Sequence, residues 1–599
     1  MATTSQPETG SKVSPVKRAW WKECSVYQIY PSSFKDSNGD GTGDIPGVIE
    51  KLDYIARLGV DIVWLCPVYQ SPQIDMGYDI SDYKEIHEPY GTMDDVDRLI
   101  AGLHQRGLRF LMDLVVNHTS DQHEWFKASK SSIASAYRDW YIWRSPTYDR
   151  NGNRCPPNNW RSYFGGSAWE YHPASGEYYL HLFAVEQPDL NWENLSVRQA
   201  VYDIMRFWLD KGVDGFRRAL HPMDVINFIS KAPGLPNATV SDPSSKYQHG
   251  CEHYANGPRL HEYLQQIGSL MNEYNAFSVG EMPWVNEPEE IIKSVGFDRA
   301  ELNMIFNFDI VDMDHGSKGK FSPKQWSMSD LKAITNKWQS FMHQNDGWNA
   351  LYLENHDQSR TVSRWGSDKP KFRNVAARTF ATFLGLQSGT PFLYQGQELG
   401  MSNIPEDWEM TEYRDLETLN HWKEIIASHA DDVHLLETTK QQYRLKSRDN
   451  ARTPMQWDSS VHAGFTTGKP WMRVNNNYPT CNAAAQVGDP TSVFEHWAHI
   501  LRLRKDHRDV LVYGNFSLVD AQNEDVFAYT RRFGEQTILV VANFREGEAR
   551  WTMPERVDVK EELLLVSNYP DLRVEGRETV LRPFEAFACR QGSIRAQRL

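Results

Sequence analysis

From Cys24 to Gln395, short apolar runs alternate with longer stretches whose apolar positions recur at helical spacing. Cys24-Ser-Val-Tyr-Gln-Ile-Tyr-Pro31, Val60-Asp-Ile-Val-Trp-Leu-Cys-Pro67 and Leu108-Arg-Phe-Leu-Met-Asp-Leu-Val-Val116 read as strands, and Ile49 to Leu58 and Met93 to Arg106 as helices between them. Later strands fall at Gly212 to Arg217, Ala276 to Glu281, Asn303 to Phe308, Asn349 to Glu354 and Pro391 to Gln395. Strands separated by helices in this rhythm predict an α/β fold, a (β/α)8 TIM barrel, whose reactive side chains lie at the C-terminal ends of the strands.

The rhythm fails between His118 and Phe183, a stretch rich in Trp, Tyr, Gly and Pro, which predicts a small domain (118–184) inserted after strand three as one wall of a cleft. A second irregular insertion follows strand eight (402–472) and contains Arg448-Asp-Asn-Ala-Arg-Thr-Pro-Met-Gln-Trp457. From about Leu518 the pattern becomes short alternating strands, the signature of a C-terminal antiparallel β-sandwich. The expected organisation is therefore a disordered start (1–19), barrel (20–117), inserted domain (118–184), barrel with its insertion (185–517) and sandwich (518–599).

A chain of 599 residues can bury a barrel core and carry such accessories. The net charge of −15, with no basic tract, disfavours nucleic acid as a partner. Six widely spaced cysteines, with no CxxC pair, suggest a reducing compartment. Met1 to Pro15 lacks the apolar core of a signal peptide, and no apolar run is long enough to span a membrane. These features predict a cytoplasmic protein with no membrane partner, a monomer or weak homo-oligomer. The 21 Trp serve either sugar-binding faces or large cores.

Chemistry enters at the predicted strand ends: Asp113 and His118 after strand three, Arg217 and Asp224 around strand four, Glu281 closing strand five, and His356-Asp357 after strand seven. Two carboxyl groups from neighbouring strand ends, Asp224 and Glu281, suit glycoside hydrolysis, one attacking the anomeric carbon and the other protonating the leaving oxygen. Arg217 would hold Asp224 ionised, whereas the apolar sequence neighbours of Glu281 would raise its pKa. Asp357 would grip sugar hydroxyls together with His118 and His356. Separately, Asp36, Asn38, Asp40 and Asp44, with a carbonyl at Thr42, have the alternate spacing of a calcium loop; a Gly/Asp turn is the other reading.

The motifs Asp113-Leu-Val-Val-Asn-His118, Gln187-Pro-Asp-Leu-Asn191, Gly280-Glu281, Glu354-Asn-His-Asp357 and Gly389-Thr-Pro-Phe-Leu-Tyr-Gln-Gly396 resemble those of the α-amylase superfamily, within it the oligo-1,6-glucosidase and α-glucosidase group. The resemblance runs from about Trp20 to the C-terminus. It implies a retaining glycoside hydrolase with Asp224 as nucleophile, Glu281 as acid/base and Asp357 as transition-state stabiliser. It further implies that Asp75, Tyr78, His118, Phe183, Arg217, His356 and Arg448 contact the first glucose. A structural calcium or magnesium ion would sit at the Asp36 loop, with no organic cofactor. Val225, after the nucleophile, resembles the α-1,6-active members. Related sucrose isomerases carry an Arg-rich stretch after strand six where this chain reads Asp312-Met-Asp-His-Gly316, which favours hydrolysis over isomerisation.

One stretch departs from the family pattern, which joins Arg217 directly to Met223-Asp224; here Arg218-Ala-Leu-His-Pro222 intervenes. Pro222 lacks a backbone donor and restricts His221, so a regular strand is not expected to pass through it. The five residues bulge outward and re-place Asp224, or impair turnover in a folded protein, or are foreign to the working chain. The expected activity is removal of glucose from short α-glucosides of the isomaltose, maltose or sucrose type. The alternatives are a sugar-binding protein that has lost turnover and a transglycosylating or sucrose-isomerising relative.

Overall fold

Ile62-Val-Trp-Leu65 is buried at every position, as a parallel strand walled on both faces requires. In the computed structural model, which describes residues 16–218 and 235–591 apart from 283, 284, 286, 555, 556, 558 and 574–576, it is one of eight such strands. They are β1 (Val26–Ile29), β2 (Ile62–Leu65), β3 (Arg109–Leu114), β4 (Gly215–Arg218), β5 (Phe277–Glu281), β6 (Met304–Phe306), β7 (Asn349–Leu351) and β8 (Thr390–Tyr394). They close into a barrel in the order β1-β8-β7-β6-β5-β4-β3-β2, every pair parallel. Gly215 is required where β4 meets β5, because a Cβ there would lie 2.2 Å from the Phe277 carbonyl oxygen.

The strands are shorter than their apolar runs. β7 ends at Leu351 rather than Glu354, and β6 at Phe306 rather than Phe308, since the chain leaves the ladder to carry its polar residues into the loops. The helix expected from Ile49 to Leu58 is two, Ile45–Glu50 and Leu52–Leu58, broken at Lys51. Met93–Gln105 begins with a reciprocal Thr92–Asp95 capping box and buries Val96, Leu99, Ile100 and Leu103.

The stretch after β3 folds as a small unit with a three-stranded sheet of Trp143–Arg144, Trp169–His172 and Glu177–Leu180. The insertion after β8 is not irregular: it holds the helices Leu416–His429 and Val433–Lys446. Their apolar stripe is weak, the first burying only Thr418 and the second Thr439, Tyr443 and Lys446, so periodicity does not reveal them. The last domain begins at Asn515, three residues before the expected Leu518, as a five-stranded antiparallel sheet. Its Val526, Ala528, Leu539 and Val541 pack against Ala549, Trp551 and Leu581 of a two-stranded sheet, giving the sandwich-like core. Residues 16–19, expected to share a disordered start, are docked: Lys22 reaches the Lys17 carbonyl and Asp346, and Arg18 pairs with Asp509. Among the described residues no helix is long and apolar enough to cross a membrane.

Arg504, fully buried on helix Val493–Asp506, holds the turn into β8 by donating to the carbonyls of Gly385 (2.8 Å), Gln387 (2.6 Å) and Gly389 (2.6 Å). Burial pushes its pKa down to about 10. Replacing it with Met leaves these carbonyls without their donor. Arg504→Met is expected to cost about 2–4 kcal/mol, read as a lower thermal midpoint; an unchanged midpoint would contradict this role.

Candidate active site

The register of β3, β4 and β5 places three charged side chains together. Arg217 lies beside Asp113 on β3 and Val279 on β5, and Glu281 follows Val279 by two positions, on the same face of β5. Arg217 Nη1 donates to Asp113 Oδ1 at 2.7 Å, and its Nη2 donates to Glu281 Oε1. Trp64 Nε1 donates to the other Asp113 oxygen at 2.8 Å. Burial, reinforced by the negative charge of Glu281, outweighs Arg217 and Trp64 and pushes the Asp113 carboxyl up to about 6. The arginine itself is held firmly protonated, since the two carboxylates outweigh its burial. Among the described residues one cation thus serves two anions; the expected partner Asp224 lies outside the described residues.

A second group forms after β7. Gln28 Nε2 donates to His356 Nδ1 at 2.8 Å, which leaves Nε2 as the protonated nitrogen, facing Tyr78 Oη at 2.8 Å and Asp357 Oδ2 at 3.1 Å. Burial and the surrounding arginines outweigh Asp357 and push His356 down to about 3, so the ring is neutral. Tyr78 stacks on it, centroids 5.2 Å apart and planes 9° from parallel. Asp357 Oδ1 accepts from Arg452 Nη2 at 2.9 Å and Arg448 Nη1 at 3.3 Å. Burial opposes ionisation of Asp357, but His356 and the two guanidiniums overcome it and hold the carboxylate well below its ordinary range.

Arg448 comes from the insertion after β8 and meets three carboxylates: Asp415 at 2.7 Å through Nε, Asp75 at 3.2 Å and Asp357 at 3.3 Å. Its guanidinium also lies 5.1 Å from the Phe164 ring centroid. Across the pocket, His118 Nε2 faces the Tyr78 carbonyl at 2.9 Å and Gln187 Nε2 at 3.1 Å, and its ring packs against Phe183.

Asp75, Tyr78, His118, Phe183, Arg217, Glu281, His356, Asp357 and Arg448 therefore line one pocket at the C-terminal end of the barrel. Asp224 and Val225, with Ala219 to Pro222 of the extra stretch, lie outside the described residues; β4 keeps its register through Arg218, opposite Leu114 and Gly280. Sequence reasoning missed the mouth of the pocket, where Lys320 pairs with Glu417 at 2.6 Å beside Tyr163 and Phe308. It also missed Arg452, although a second arginine four residues after Arg448 on a helical turn is a legible signal.

At the loop after β1, Asp36 Oδ1 accepts from the amides of Asn38 (3.0 Å) and Gly39 (2.7 Å), Asn38 from Asp40 (2.8 Å) and Asp40 from Thr42 (2.8 Å). Both Asp36 and Asp44 are buried, and among the described residues neither makes an ion pair. Burial raises the Asp44 pKa and the charge of Asp36 adds to it; at Asp36 the donors from Thr466, Gly39 and Gly41 overcome burial and lower it. No cluster of three or more acidic, His or Cys residues poised for a metal occurs among the described residues, so an ion here would also need Asn38 and the Thr42 carbonyl. Two buried carboxylates, hydrogen-bonded but without a cationic partner among the described residues, in an all-oxygen loop fit a hard divalent cation.

Comparison with known proteins agrees along the whole chain. Residues 28–514 match the alpha-amylase catalytic domain and residues 516–587 the maltogenic amylase C-terminal domain. An alpha-glucosidase of Schizosaccharomyces pombe is 50% identical, covering 95% of this chain and 98% of that protein. An oligo-1,6-glucosidase of Parageobacillus thermoglucosidasius is 49% identical, covering 95% and 99%. The crystal structure of isomaltulose synthase from Erwinia rhapontici superimposes with a TM-score of 0.88 at 40% identity, covering 96% and 99%.

The Asp113–Arg217 pair makes a pH prediction for turnover of an α-glucoside. As pH falls through the raised pKa, Asp113 takes up a proton and Arg217 loses one of its anions. kcat/KM is therefore expected to fall on the acid side with an apparent pKa near 6. Asp113→Asn should be impaired at every pH and lack that limb; an unchanged acid limb in the variant would refute the assignment.

Proposed function

The chain belongs to the alpha-amylase family of glycoside hydrolases, and on that premise we propose that it is a retaining, exo-acting α-glucosidase releasing glucose from the non-reducing end of short α-glucosides. The observation that carries this reading is the bridge from Arg448 to Asp75, which joins the insertion after β8 to the loop after β2 across the pocket. A cleft spanned there admits the end of a sugar chain and blocks a chain from threading through. The names of the two most similar relatives quoted above support the same substrate class.

In this reading Glu281 first takes up a proton from solvent and gives up its ion pair with Arg217; Asp224 then attacks the anomeric carbon while Glu281 passes that proton to the leaving oxygen, forming a glucosyl-enzyme ester. Glu281 then takes a proton from water, which attacks the same carbon and releases glucose with retained configuration. Asp357, kept ionised by Arg448 and Arg452, accepts hydrogen bonds from sugar hydroxyls. His118, His356 and Asp75 complete the polar grip, and Tyr78 and Phe183 supply apolar faces. That β4 holds its register to Arg218 supports an intact barrel beneath the extra stretch. Val225 leans the preference toward α-1,6 linkages. None of the six cysteines forms a disulfide, which supports a cytoplasmic setting.

Glucose release from isomaltose, maltose and sucrose, with the first-formed anomer followed by NMR, tests the reading on the whole chain and on a variant lacking Arg218 to Pro222. The α-anomer should appear first, and Glu281→Gln should lower kcat by about 10²–10⁴-fold. Glucose binding by calorimetry without release by either chain would replace the hydrolase with a binding protein. Isomaltulose formed from sucrose would favour the transglycosylating reading that the isomaltulose synthase likeness raises.

A calcium or magnesium ion held by Asp36, Asn38, Asp40, the Thr42 carbonyl and Asp44 would neutralise the buried charge and stiffen the loop after β1. Calcium at about 100 times its Kd should stabilise the fold by about 2.7 kcal/mol, read as a higher melting midpoint than in EDTA. Coincident midpoints in EDTA, calcium and magnesium would remove the ion from the picture.

A further inference from the structure

Arg448 and the pair Asp357-Gln358 enter the pocket on separate segments, after β8 and after β7, and meet there at 3.3 Å; a second tie between the two segments lies outside the pocket. Outside the pocket lining, on the segment after β6, lies the carboxylate of Asp314, only 3% exposed. Its Oδ1 accepts from Lys446 Nζ at 2.7 Å and from Arg364 Nη2 at 2.5 Å. Its Oδ2 accepts from Arg364 Nε at 2.8 Å and Trp365 Nε1 at 3.1 Å.

Each donor leads back to the pocket. Lys446 is the last residue of helix Val433–Lys446, two positions before Arg448. Arg364 donates through Nη1 to Gln358 Oε1 at 2.7 Å, next to Asp357, and through Nη2 to the Val311 carbonyl. Asp314 also lies in Asp312-Met-Asp-His-Gly316, the stretch where this chain departs from the sucrose isomerases. We propose that Asp314 is a positioning residue for sugar binding, tying Arg448 through Lys446, and Gln358 and Asp357 through Arg364, to the segment after β6. The inference rests on the glucose-pocket reading above.

The charges around Lys446 make the tie sensitive to pH. Asp314 is held well below its ordinary range, since Arg364 and Lys446 overcome its burial. Lys446 is the partner that titrates: burial first, then repulsion from Arg364 and Lys320, outweigh Asp314 and push it down to about 7. Of the other groups facing it, burial pushes His315 down to about 3, so it stays neutral, and pushes Asp312 up to about 6, so K446M reads out whatever pH change Asp312 alone contributes. As pH rises through 7, Lys446 loses its proton and the ionic tie to Asp314 weakens.

The test is the Kd of glucose by calorimetry and the KM for isomaltose, with melting midpoints, for the full chain and for D314N, K446M and K446R at about pH 6.5 and about pH 8.5. D314N and K446M should raise Kd and KM roughly tenfold, because the polar grip on the sugar is displaced, and kcat should fall as well, since Asp357 is part of that grip. Wild type should weaken at the higher pH, K446M should show no such change, and K446R, charged throughout, should hold its affinity. Unaltered Kd and KM in D314N and K446M, even with lower midpoints, would overturn the proposal. If no chain releases glucose, the hydrolase reading fails, while the calorimetric series still decides this one.

Discussion

One buried guanidinium governs the barrel's C-terminal face. Arg217 is 2% exposed and bonded to Asp113 on one side and Glu281 on the other. Three charges packed this tightly are tolerated only when each is compensated, because the cost of desolvating an unpaired ion is several kcal/mol. The barrel meets the demand through its ladder, whose parallel register brings β3, β4 and β5 together with these positions adjacent. Trp64 from β2 supplies the remaining donor to Asp113. The constraint thus reaches from a hydrogen bond to the order of four strands.

The rest of the pocket repeats the arrangement with the signs exchanged. Around Arg217 one cation is shared by two anions, whereas around Asp357 one carboxylate is shared by two arginines and a neutral histidine. The first sharing leaves Asp113 near its titration point; the second holds Asp357 ionised. Carboxyl groups placed in opposed environments are what acid/base and electrostatic roles at one site require. Arg448 connects this group to Asp75 and Asp415, so that the insertion after β8 is part of the site rather than a decoration on it. Asp314 performs the same service one layer out, where a single anion receives Lys446 and Arg364.

Much of this was legible in the residues. Short apolar runs set between stretches of helical spacing located all eight barrel strands, because a strand buried on both faces must be written in apolar residues. The strand ends named five side chains that the structure brings into one pocket, His118, Arg217, Glu281, His356 and Asp357, and the family resemblance added Asp75, Tyr78, Phe183 and Arg448. The ends of β6 and β7 were overdrawn, since an apolar run continues past the point where the ladder stops. The helices Leu416–His429 and Val433–Lys446 were unreadable because they bury too few residues to print a stripe.

What the sequence by itself determined was the fold class, the family and the chemical types gathered at the barrel mouth, since these depend on local pattern and motif. Which anion each cation serves was decided only by the tertiary structure. Nothing in the spacing of the chain points Arg217 to its contacts among the described residues, Asp113 and Glu281, 104 and 64 residues away. Lys446 and Asp314, 132 residues apart, are likewise joined only in space. Electrostatic energy falls with distance through space and rises as water is excluded, and neither distance nor exclusion is a property of position along the chain.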